Sequence, residues 1–225
     1  MRPPGILCPE QSPTKSRVLQ VAKPSINDVR NRLATTMSES PKTVHTSPTT
    51  DEHALSRAFI DCAADFLLDD YLPKIERCLE KLTDEQIWWR ANEESNSIGN
   101  LILHLCGNAR QWIIAGVGSQ ADMRVRDAEF GQRELIGRAE LLSLLKSTLA
   151  EINKVLRALD PATILDRRQI QGHDVDVLKA IFHVTEHFSM HTGQIIMLTK
   201  MITAKNLRFY DFQDGTPVEN WRSPK

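Results

Sequence analysis

The chain has 225 residues, 41% hydrophobic and 25% charged, with a formal net charge of −1. That length and balance fit one soluble globular domain with room for extra segments, and they give no overall electrostatic pull toward nucleic acid or anionic membrane. The apolar runs are short and broken by charge, so none approaches the roughly 20 apolar residues of a membrane-spanning helix. Neither nucleic acid nor membrane is expected as a partner. Cys8, Cys62, Cys78 and Cys106 are widely spaced, with no C-x-x-C pair. A reducing, cytoplasmic setting follows, with each cysteine a small buried hydrophobe or an exposed bystander.

Residues 1–50 contain no Phe, Trp or Tyr and hold seven of the eleven prolines, among Ser, Thr and Lys. Such a segment buries too little apolar surface to offset its ordering entropy, and it is expected to be a disordered N-terminal extension. Glu10 and Asp28 are its only acids before Met37. This basic bias is a weak transit-peptide feature, and a translation start at Met37 fits equally well. His45 and His53 fall in or beside this segment and receive no role.

From residue 51 the pattern becomes helical, because Leu55, Phe59, Cys62 and Phe66 step by four and three. Leu72, Ile75, Leu79 and Leu82 prolong the stripe to about residue 83, with Pro73 expected to kink the helix or restart it. Trp88 and Trp89 are expected to cover the end of a core. A second helix starts at Asn96 or Ser97 as N-cap and runs to about residue 117, its apolar face made by Ile98, Leu101, Ile102, Leu105, Ala109, Trp112 and Ile113. His104 lies on the flank of that face. Residues 118–137 are polar and irregular and read mostly as loop, with Phe130 as a single aromatic anchor.

The third helix spans residues 138–159, with Leu141, Leu142, Leu145, Leu149, Ile152, Leu156 and Leu159 as its stripe and Asp160-Pro161 as its stop. The fourth spans residues 174–203. Its seam is Val177, Ile181, Val184, Phe188, His191, Ile195, Leu198 and Ile202. His191 thus takes a core position, and His183 and His187 lie on the flank. No convincing strand repeat interrupts these helices, so the fold class is all-α, a four-helix bundle over residues 51–206. Residues 207–225 form a tail expected to pack on the bundle as coil.

The fourth helix reads HVTEHFSMH from His183 to His191, with histidines at i, i+4 and i+8 on one face. Two neutral imidazoles four apart on a helix can bind one cation, and a third ligand must come from elsewhere. His104 is the histidine on another core helix with matching sidedness, so His104, His187 and His191 form a candidate set with open positions for water or substrate. A lone histidine beside an apolar seam is more often a hydrogen-bonded core residue. Several unpaired imidazoles on one face cost desolvation free energy, and spacing alone leaves metal binding and that plainer reading evenly matched. His183 could be a ligand, a hydrogen-bond donor to a ligand, or exposed. His173, on the polar turn QGHD, reads as solvated or capping. Residues 183–187 also match H-x-x-E-H, the inverted zinc-protease motif. That reading is set aside, because the motif recurs by chance, a further ligand is needed, and only 38 residues follow His187.

The segments SIGNLILHLCGNARQW and EHFSMHTGQI together resemble the DinB/YfiT-like superfamily, and specifically a small bacterial branch with an R-x-x-EF element after the second helix, here RDAEF at 126–130. The resemblance covers roughly residues 51–206. It implies a DinB-like four-helix bundle that binds a divalent metal through one histidine of the second helix and an H-x-x-x-H pair of the last, which fall on His104, His187 and His191. Gln194 matches the GQ after the last ligand, and RDAEF is given a structural role. Three imidazoles suit zinc, nickel and iron almost equally, and zinc or nickel is the metal expected, with iron as the alternative. Characterised relatives attach low-molecular-weight thiols to electrophiles, the metal holding the thiol as its nucleophilic thiolate. By that analogy the partner is a small-molecule thiol or electrophile, and the function a metal-dependent thiol S-transferase or hydrolase. The alternative is a non-catalytic, metal-stabilised binding or stress-response protein. Bundles of this superfamily often pair, so a homodimer is expected.

Overall fold

The computed structural model describes residues 50–221, and the expected N-terminal extension, the alternative start at Met37, Cys8 and His45 lie outside the described residues. The described chain is mostly helical. Helix α1 (Thr50–Asp65) passes through a π-helical segment (Phe66–Tyr71) into α2 (Leu72–Leu79). After the π segment the α-helix restarts at Leu72 with Pro73 in its first turn, as the sequence predicts. Helix α3 (Asp84–Ile87) is a single turn opened by a Thr83–Gln86 capping box. Helix α4 (Ile98–Ala109) begins at N-cap Ser97, whose side chain accepts from the Asn100 N–H, and continues through a second π-helical segment (Arg110–Val117).

A short helix, α5 (Arg126–Gly131), lies within the stretch expected to be loop. Helix α6 (Arg138–Ala158) follows, and the last long helix, α7 (Val177–Thr203), is capped by Asp176. Helix α4 packs against α5, α6 and α7, α2 packs against α7, and α1 against α6. The core they share includes Ile60, Leu67, Ile75, Ile102, Leu105, Leu145, Ile152, Ile181 and Phe188. The expected seams of α4, α6 and α7 are its walls.

Three expectations are corrected. The buried face of α1 is Ile60, Ala63 and Ala64, continued by Leu67, whereas Leu55 and Phe66 are 73% and 42% exposed and Cys62 is exposed. Two alanines on one face allow close helix approach, and of the 3–4 pattern Leu55, Cys62 and Phe66 turn outward while Phe59 stays partly buried against the core. The expected helical class holds as a mostly helical fold, to which two antiparallel hairpins are added. The first pairs β1 (Arg167–Ile170) with β2 (His173–Asp176) ahead of α7, which therefore starts at Val177 and not at residue 174. The tail is likewise not plain coil, because β3 (Tyr210–Gln213) pairs with β4 (Thr216–Glu219). Both hairpins close on two residues of positive φ, Gln171-Gly172 and Asp214-Gly215, the geometry whose twist matches paired strands. The tail is held to α2 by Arg77, which donates to the Asn220 side chain at 2.6 Å, and by Lys74 over the Trp221 ring. Among the described residues no helix is long and apolar enough to cross a membrane.

Candidate metal centre

The site forms where α4 crosses α7. The Ser97 cap starts α4 so that His104 falls on the face turned to α7, and the i, i+4 spacing puts His187 and His191 opposite it. One ring nitrogen from each of His104, His187 and His191 lies within 4.8 Å of the others, so the group could hold a metal ion. His104 Nε2 and His187 Nε2 are 2.9 Å apart. His191 Nδ1 donates to Gln194 Oε1 at 2.7 Å, which leaves Nε2 as its lone-pair nitrogen. That Nε2 is buried without a hydrogen-bond partner. A buried, unpartnered acceptor beside two further imidazole nitrogens is the donor set a divalent cation requires.

His104 and His191 are buried, at 7% and 8% exposure, and His187 is half-buried. His104 is thus inside the core rather than on its flank. Burial, then the neighbouring His191, His104, His183 and Arg124, pushes His187 down to about 3 from the ordinary 6.5. Burial also lowers His191 and His183. His187 and His191 therefore favour the neutral imidazole that a metal needs.

His183 lies one turn before His187 and outside the three-residue group. Its ring packs on Trp112, with centroids 4.0 Å apart, and its Nε2 accepts from Asn108 Nδ2 at 3.2 Å. His173 is exposed on β2, and Glu186 is exposed on α7, away from the role the protease motif would give it.

Sequence reasoning did not identify the charged pair behind His104. Glu129, on α5, is 8% exposed, and its Oε2 lies 2.9 Å from His104 Nδ1. Arg124 donates through Nε to Glu129 Oε1 at 2.8 Å and through Nη2 to Oε2 at 2.9 Å. Its Nη1 donates to Gln111 Oε1, and Gln111 in turn donates to Asp122. Burial works against the Glu129 carboxylate, but hydrogen bonds from Arg124 and His104 outweigh it and hold the carboxyl below its usual range. Asn100 Nδ2 ties this segment to α4 through the carbonyls of Glu129 and Gln132, at 2.9 and 3.1 Å. Phe130 packs on the His104 ring, as an aromatic anchor should. The sole sequence signal for this arrangement was RDAEF, since isolated charges ordinarily read as solvated. A cavity of about 520 Å³ beside the Arg124–Glu129 pair is lined by Leu103, Cys106, Arg110, Ile114 and Leu144, and none of the three histidines lines it.

No curated protein matches the sequence. Among solved structures, a conserved protein from Enterococcus faecalis is similar at a TM-score of 0.52 and 14% identity, over 68% of this chain and 97% of the other. At that identity the likeness concerns the fold alone. A family model described as "Protein of unknown function (DUF1572)" matches residues 54–215, most of the chain. The chain with three imidazoles between α4 and α7 thus belongs to the DUF1572 family.

Proposed function

We propose a divalent-metal-binding protein of DinB-like four-helix architecture, in which His104, His187 and His191 hold zinc, nickel or iron and an open coordination position takes a small-molecule thiol or water for S-transfer or hydrolysis. The observation that carries this reading is the approach of three ring nitrogens within 4.8 Å, one of them buried and unpartnered. The mutual packing of the α1–α2 pair, α4, α6 and α7 supports the architecture. A bound cation would lower the pKa of a thiol or water at its open position and so supply a nucleophile at neutral pH. His187, the least buried of the three, marks the side on which a small molecule reaches the cation.

A second reading, a metal that only ties α4 to α7, is favoured by the burial of His104 and His191. One set of measurements tests both. Untagged protein assayed by metal mass spectrometry should carry close to one transition metal per chain, and a stoichiometry near zero would sink the site. Thiol consumption against a panel of electrophiles should depend on metal and vanish in His187→Ala. Turnover absent from every reaction would leave the structural reading.

A further inference from the structure

His104 Nδ1 has two charged neighbours that demand opposite tautomers. Glu129 Oε2, at 2.9 Å, can only accept, which requires the proton on Nδ1 and leaves the Nε2 lone pair toward His187 and His191. Arg124 Nη2, at 3.1 Å, can only donate, which would place the proton on Nε2 and close that nitrogen to a cation. Arg124 Nη2 also donates to Glu129 Oε2, and its Nε and Nη1 donate to Glu129 Oε1 and Gln111 Oε1, so the guanidinium stays anchored when His104 keeps its proton on Nδ1.

Three features of the chain converge on the carboxylate. Gly107, one turn after His104 on α4, leaves the space that Glu129 Oε1 and Cδ occupy, and a Cβ there would collide with both. Arg124, whose side chain is 3% exposed, grips the same carboxylate through two nitrogens. Asn100, 1% exposed, holds the Glu129 and Gln132 carbonyls against α4. A carboxylate buried on this scale is costly unless fully bonded, and here all of its bonds serve one imidazole edge and one guanidinium.

We propose that Glu129 is a positioning residue of the metal site: it accepts the Nδ1 proton of His104, fixing the tautomer and ring orientation that present Nε2 to the cation, while Arg124 and the glycine at 107 hold the carboxylate in place. Glu129 does for His104 what Gln194 does for His191, where a side-chain oxygen on Nδ1 likewise frees Nε2. Carboxylate partners of this kind raise ligand basicity, and their loss typically costs about 10- to 100-fold in metal affinity. The proposal rests on the metal-binding reading above.

The test combines two measurements on the full chain. Long-range ¹H–¹⁵N imidazole spectra of metal-free wild type should show His104 with its proton on Nδ1; a proton on Nε2 would overturn the proposal without any variant having to fold. Zinc affinity, by competition with a chromophoric chelator, should fall about 10- to 100-fold in Glu129→Ala and recover in part in Glu129→Gln, whose carbonyl still accepts from Nδ1–H. Wild-type affinity in a folded Glu129→Ala would overturn it. If wild type itself binds no zinc, the metal reading fails, a result distinct from either outcome at Glu129.

Discussion

At the residue scale, burial decides which side chains can react. It pushes the Cys106 thiol up to about 12 and Cys78 up to about 11, whereas Cys62 is exposed. Peptide mapping after brief alkylation of native protein near pH 8 should therefore find Cys62 labelled and Cys78 and Cys106 spared; label at Cys106 would show that α4 opens readily. His187 makes the matching prediction for pH. Its folded value of about 3 lies below the ordinary 6.5, so between these limits the unfolded chain binds a proton that the folded chain refuses. Stability of the metal-free protein is fully present above about pH 6.5 on this account and falls as the pH drops toward 3. Urea midpoints measured across that window should slope less steeply in His187→Leu than in wild type. An unchanged slope would assign the acid sensitivity to other groups.

At the element scale, the joint between α4 and α5 is the structure's most specific local device. Asn100 completes the Ser97 capping box with its carbonyl and holds the α5 segment with its amide. Asn100→Asp keeps the cap acceptor and loses both donated bonds, so it should destabilise by about 1–3 kcal/mol in urea denaturation and raise hydrogen exchange in α5 while that at the start of α4 stays low. Gly99→Ala probes the opposite end of the tolerance for volume. A Cβ there would meet the Trp88 ring at 2.7 Å, and that ring is pinned by its Nε1 donating to the Ile136 carbonyl. A loss of about 1–3 kcal/mol is expected. Helices α4, α6 and α7 were legible in the sequence because large apolar residues fill their seams and caps or Pro mark their ends. The buried face of α1 was not, since Ala63 and Ala64 carry little hydrophobic signal beside Leu55 and Phe66. RRQI and HDVD lack the apolar alternation that announces strands, so the first hairpin was hidden. The second was not hidden: Asp214-Gly215 is a strong hairpin dipeptide, and Tyr210 and Phe212 alternate before it. For the site, helical spacing gave His187 and His191, and sidedness gave His104. Arg124 and Glu129 were illegible because pattern cannot distinguish a buried charge pair from a solvated one.

At the scale of the whole molecule, a cation bound by residues of two helices adds its binding free energy to folding. Zinc at about 100 times its dissociation constant should raise stability by about 2.7 kcal/mol, and a chelator should remove that gain. His191→Ala should show neither effect in thermal melts. The three ligands also divide by sequence distance: His187 and His191 are one helical turn apart, whereas His104 is 83 positions from His187. The pair is therefore a local chelate that exists as soon as α7 is helical, and the third arm arrives only with long-range docking, the slower event in a folding chain. A cation would consequently be held by two nitrogens before docking and by three after it. In stopped-flow experiments, zinc should accelerate folding modestly and retard unfolding by the larger factor, so the centre would act chiefly as a latch on the finished fold.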